Sequence, residues 1–165
     1  ALLIEDDKSL KAIDAAALAA NIAHGLNLRS YNFTRYKSKP KDKAPELKSI
    51  AITGTIHAAA KKAYTPLSQA AEGTFRARDL VNMPPNDLYP DAYAKLIKKE
   101  LTPLGVKVDI IDEKKMAKLS MEAILAVGKG SERQPRMVIM QWNGASAKSK
   151  PKPIGLVGKG VTFDT

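Results

Sequence analysis

Asn82-Met-Pro-Pro-Asn-Asp87 cuts this sequence in two. Neither proline has an amide hydrogen to give, and each disfavours helical backbone at the residue before it, so no helix runs through this point. The stretch before it, Ile56 to about Asn82, is helical in pattern: Leu67, Ala70, Ala71, Thr74, Arg78 and Val81 follow roughly helical spacing. Pro66 lies inside the stretch. Proline is tolerated in a first turn, so the helix is expected to restart there with Thr65 as its cap. The break over Asn82–Pro90 is the expected domain boundary, with the helix before it as a linker.

The two sides differ in pattern. On the amino-terminal side, Ser9 is expected to cap a helix running to about His24, with Leu10, Ile13, Ala17, Ala20 and His24 on one stripe and Gly25 as its stop. Ser49-Ile-Ala-Ile-Thr53 reads as a buried strand. On the carboxyl-terminal side helices and strands alternate. Pro90–Leu104 reads as a helix stopped by Gly105, Val106–Ile111 as a strand, and Glu113–Leu119 and Met121–Val127 as short helices. Arg136–Trp142 and Pro153–Val157 read as further strands. Such alternation predicts an α/β layer with a mixed or parallel sheet.

Composition excludes much of catalysis. The 165 residues hold no cysteine and two histidines, His24 and His57. Disulfide scaffolds, thiolate zinc sites, iron–sulfur clusters and cysteine nucleophiles are therefore excluded, and any metal must be held mainly by oxygen donors or by something unusual. Zero cysteine fits a reducing compartment. No apolar run approaches the roughly 20 residues that span a bilayer. His24, on its helix stripe, reads as packing or surface; His57 as exposed; Trp142 as core or interface; Asn82 and Asn86 as turn residues; Arg78 and Asp79 as a surface pair of slight energetic value.

The net charge is +10, with seven bases in 29–48 and seven in 129–160. This excess motivates a nucleic-acid-binding module, since clustered bases attract phosphates. Against it, no nucleic-acid-binding motif is present.

The strongest chemical candidate is Ile154-Gly-Leu-Val-Gly-Lys-Gly-Val-Thr-Phe-Asp-Thr165. A buried strand here would deliver Gly158, Lys159 and Gly160 to its carboxyl end, where open α/β sheets bind ligands. Lys159 and Asp164 are an odd number of positions apart and face opposite sides of a regular strand, so they converge only if the chain bends, which Gly160 permits. From spacing alone the pair reads first as an exposed lysine and a turn-capping aspartate. The glycines match neither phosphate-loop pattern: Gly, not Ser or Thr, follows each Gly-Lys, and no helix opening follows Gly160.

Val157-Gly-Lys-Gly-Val-Thr-Phe-Asp-Thr165 resembles the metal-binding signature of the leucyl (cytosol) aminopeptidases. Ala77-Arg-Asp-Leu-Val-Asn-Met-Pro-Pro-Asn86 with Pro90, Gly25–Lys37 and Met121–Ser131 resemble further segments of that family, in the family's order. The resemblance implies an α/β chain made of the carboxyl-terminal part of an amino-terminal domain (1–54), an interdomain linker helix (55–83) and the start of a mixed-sheet α/β metallopeptidase catalytic domain (84–165). It implies that Lys159 and Asp164 are metal ligands, with Asp164 bridging two divalent ions, zinc or manganese. A lysine ligand must lose its proton, which a nearby dication favours. The two ions would activate water and polarise the scissile carbonyl. Peptides with a free amino terminus would be the substrates, a cytoplasmic hexamer the assembly.

The family's catalytic lysine, arginine and remaining acidic ligands lie beyond Asp-Thr, so this segment is expected to contain no catalytic residue. It is read as an internal piece of an aminopeptidase, inactive by itself.

Overall fold

The computed structural model describes residues 14–38, 48–53, 55–146 and 152–162. The chain divides into two compact units, Ala1–Asn82 and Met83–Thr165.

The first unit pairs α1 (Ala15–Arg29) with α2 (His57–Asn82). Asp14 caps α1, its carboxylate accepting from the Ala16 amide at 2.9 Å. The expected cap, Ser9, lies outside the described residues. The helix also passes its expected stop: Gly25 is internal, and α1 ends where Ser30 donates from both its amide and its hydroxyl to the Asn27 carbonyl. A glycine costs a helix only about 1 kcal/mol, which packing on α2 offsets. The buried row is Ala16, Ala19, Ala20 and Ala23, shifted from the expected stripe. Ala16 and Ala19 meet Ala60 of α2, with Ile52 and Ile56 against them. Side chains this small let two helix backbones approach closely.

Helix α2 does not restart at Pro66. Near the lost hydrogen bond, the Thr65 hydroxyl donates back to the Lys61 carbonyl at 3.0 Å and the Ser68 hydroxyl to the Thr65 carbonyl at 2.8 Å. Thr65 therefore serves the helix interior instead of capping a new start. No strand forms over the described part of 49–53. Ile52 joins the helix pair instead, because a strand needs a neighbour to take its amides and carbonyls.

The second unit opens with the double proline. Pro84 accepts from the Asp87 amide at 3.0 Å and the Leu88 amide at 2.9 Å, a turn that buries Leu88. Helix α3 (Pro90–Leu101) begins with proline at its first position, tightens into a 3-10 turn over Thr102–Leu104, and stops at Gly105 with φ +83°. It packs on β1 (Lys107–Ile111). Asp112 then caps α4 (Glu113–Lys118), accepting from the Lys115 amide at 2.8 Å. The chain turns through Ser120 at φ +55° into α5 (Glu122–Gly128) and reaches β2 (Met137–Gln141). The strands are antiparallel, with Val108 opposite Met140 and Ile110 opposite Val138. Among the described residues the architecture is thus helices with a small two-stranded antiparallel sheet. Val108, Ile111, Ala94, Leu88 and Met116 are its buried apolar residues.

Candidate metal-ligand segment

The segment carrying Lys159 departs from expectation. Residues 152–162 form no strand. Ile154, Leu156 and Val157 are almost fully exposed. The expected strand at Pro153–Val157 fails for a physical reason: β1 and β2 pair with each other, and no described residue offers a third ladder or a layer over these side chains.

The segment approaches α3 at Gly160. A Cβ built on Gly160 would lie 3.0 Å from Cε1 of Tyr93, closer than side chains ordinarily approach. The same construction at Gly155 and Gly158 meets nothing within 4 Å. Lys159, next to the contact, is exposed. Asp164 lies outside the described residues.

The helix beneath is held by a charged cluster that sequence reasoning missed. Arg136, just before β2, donates from Nε to Asp91 Oδ1 at 3.2 Å and from Nη1 to Glu113 Oε2 at 2.7 Å. Its Nη1 also reaches the Pro135 carbonyl at 2.9 Å. Lys95 completes the set, 2.6 Å from Asp91 Oδ2. Lys95 first, and Arg136 after it, hold the Asp91 carboxyl below its usual range, and Asp91 in turn raises Lys95. Arg136 is 17% exposed, so it joins the first turns of α3 and α4 from a largely buried position. The sequence holds only the separate parts: acids open two helices and an arginine precedes an apolar strand, with nothing local to pair them.

Residues 75–165 match the model of the cytosol aminopeptidase family's catalytic domain. The chain belongs to the cytosol aminopeptidase family. It is 44% identical over 149 residues to a probable cytosol aminopeptidase of Wolbachia pipientis wMel, covering 89% of this chain and 29% of that protein. It is 48% identical to a namesake from Rhodopseudomonas palustris strain TIE-1, with the same coverage. The chain thus spans under a third of the length of the curated relatives it matches. Among solved structures it resembles the bottromycin maturation enzyme BotP in complex with Mn, with a TM-score of 0.69 and 26% identity, covering 85% of this chain and 28% of that one. A second BotP structure gives a TM-score of 0.67 and 30% identity, covering 79% of this chain and 27% of that one.

Against the family's metal chemistry, Lys159 fits as a single donor: its amine is exposed, and among the described residues it has no ion pair. Among the described residues no complete centre is formed. No group of three or more His, Asp or Glu among the described residues is placed to hold an ion. One amine and one carboxylate cannot balance two dications, so no catalytic step is assigned to these residues.

The remaining sequence candidates are placed as follows. His24 is half-buried, and its Nδ1 has no hydrogen-bond partner among the described residues. His57 is exposed at the start of α2. Trp142 is 74% exposed, not core. Arg78 does not pair with Asp79; it donates to the Leu28 carbonyl at 2.7 Å, while Asp79 accepts from the Tyr31 hydroxyl at 2.8 Å. Asn82 donates to that hydroxyl at 3.2 Å and to the Arg78 carbonyl at 2.8 Å. Among the described residues no helix is long and apolar enough to cross a membrane.

Proposed function

We propose that this chain is part of a metal-dependent aminopeptidase that removes amino-terminal residues from peptides. The catalytic-domain match over residues 75–165 carries the reading. Lys159 and Asp164 are proposed as two ligands of a centre for two divalent ions, whose other ligands come from regions of the family that this chain does not span. Bound there, the ions would supply activated water and a polarised carbonyl. The BotP complex with Mn supports manganese, with zinc the alternative.

Further proposals rest on the family resemblance. They are a division into 1–54, a linker helix 55–83 and a catalytic start 84–165, with Pro153–Val157 becoming a strand of a mixed α/β sheet. They extend to peptide substrates with a free amino terminus, a homo-hexamer and a cytoplasmic location. The nucleic-acid-binding alternative gains no support from the family match or the relatives.

A graft tests the proposal. Residues 14–165 replace the matching segment of the Rhodopseudomonas palustris relative, and release of leucine from a leucyl amide is measured with Mn. Activity is expected, and Lys159→Met or Asp164→Asn should lower it at least about a hundredfold, as expected for loss of a metal ligand. Full activity in both variants would overturn the ligand assignment.

A further inference from the structure

We propose that Tyr93 is a positioning residue for Lys159, acting through Gly160. The proposal rests on the reading of Lys159 as a metal ligand. A ligand must be held within about 0.5 Å of its working position, and Lys159 is itself exposed, so its placement depends on what its neighbours in the chain touch. Of the three glycines in the described part of this segment, Gly160 alone meets another element, the edge of the Tyr93 ring. A hydrogen fits between backbone and ring; a methyl group would lie at 3.0 Å and force one of them to move. Consecutive Cα atoms are about 3.8 Å apart, so fixing Gly160 largely fixes the Lys159 backbone.

The ring is suited to be the seat. Tyr93 lies in the first turns of α3, its amide bonded to the Tyr89 carbonyl at 2.9 Å. Its neighbour Ala94 is 1% exposed, and Asp91 of the same turn is held by Lys95 and Arg136. The ring therefore belongs to a firm helix, and the segment to be placed comes to rest on it. Contact with the aromatic edge, not the hydroxyl, does the placing, so Tyr93→Phe should behave as native.

The sequence supplies an internal control. Val-Gly-Lys-Gly occurs at 127–130 and again at 157–160, so trypsin meets the same local sequence at Lys129 and Lys159. Cleavage after Lys159 is measured relative to cleavage after Lys129 in the native chain, Tyr93→Ala, Tyr93→Phe and Gly160→Ala. Gly160 α-proton shifts and Mn affinity are measured in parallel. Gly160→Ala perturbs the contact from the exposed side and leaves α3 intact.

Tyr93→Ala and Gly160→Ala should raise relative cleavage about fivefold, as expected when a local contact is lost. They should shift the Gly160 signals and weaken Mn binding about tenfold; Tyr93→Phe should do none of this. Unchanged cleavage and shifts in both disruptive variants would overturn the proposal. So would a loosened segment that binds Mn as well as the native chain. Failure of the ligand reading is distinguishable: Lys159→Met would leave Mn affinity unchanged while the Gly160 contact persisted.

Discussion

Arg136 Nη1 lies 2.7 Å from Glu113 Oε2, joining the residue before β2 to the first residue of α4. The same guanidinium reaches Asp91 on α3, so one largely buried side chain ties three elements. Charge-assisted bonds of this kind contribute about 1.5–3 kcal/mol each, less where a partner is half exposed. Arg136→Met should therefore destabilise the chain by about 2 kcal/mol, read from the urea midpoint. Arg136→Lys should not restore it, because an ammonium cannot span both carboxylates as a guanidinium fork does.

Asp91 gives the stability a pH signature. Its folded carboxyl titrates below the ordinary 3.8, held there by Lys95 and then Arg136. A depressed value means that its contribution is present above about 3.8 and is lost as the pH falls through the folded value. Lys95 is raised above 10.5, so its contribution is full below that and is lost as the pH climbs through the folded value. Urea midpoints between pH 2 and 7 should fall more steeply on the acid side for the native chain than for Asp91→Asn. Parallel curves would contradict this.

Ser120→Gly should stabilise. Ser120 has φ +55°, and its amide donates to the Ala117 carbonyl while the Met121 amide donates to Met116, the helix-ending pattern that usually has glycine at this position. Left-handed backbone costs a non-glycine residue about 1–2 kcal/mol, and glycine's entropy returns about half of the gain, leaving roughly 0.5–1 kcal/mol. Thermal unfolding checks the direction.

Gly128→Ala should destabilise by about 1–3 kcal/mol, because the new methyl group would collide with the Pro135 ring. Adding Pro135→Ala should recover most of the loss. Additive losses in the double variant would show that the ring is not the obstacle.

Tyr31 links α2 to the residues just past α1: its ring stacks on Phe75 at 5.5 Å, and its hydroxyl bonds Asp79 and Asn82. Tyr31→Phe keeps the stack and loses the hydroxyl bonds, so it should lower the thermal midpoint. Partial desolvation, with Asp79 adding to it, raises the phenol above the ordinary 10.0. Its contribution is present below that and lost as the pH rises through the folded value, so Tyr31 should ionise later than an exposed tyrosine in an alkaline absorbance titration.

The sequence was most legible where local chemistry decides the outcome. Pro84-Pro85 ends α2, Pro90 opens α3 and Gly105 closes it, because these residues act on their own backbone. It was least legible where a partner decides. Ile50 and Ile52, and Ile154 to Val157, carry strand-like patterns, but a strand exists only with a neighbour. Gly25 and Pro66 read as breaks, and packing or hydroxyl back-bonding carried the helices through them. For the candidate site, Lys159 was legible as a motif residue. Tyr93 and Arg136 were not, since their partners are 67 and 23–45 positions away in sequence.

The central claim is that Lys159 and Asp164 are donors in an incomplete two-ion centre. Calorimetric titration of the 165-residue chain with Mn tests it most directly. The account predicts at most one ion per chain, held weakly and lost on Lys159→Met or Asp164→Asn. Two tightly bound ions per chain, or binding indifferent to both substitutions, would contradict it.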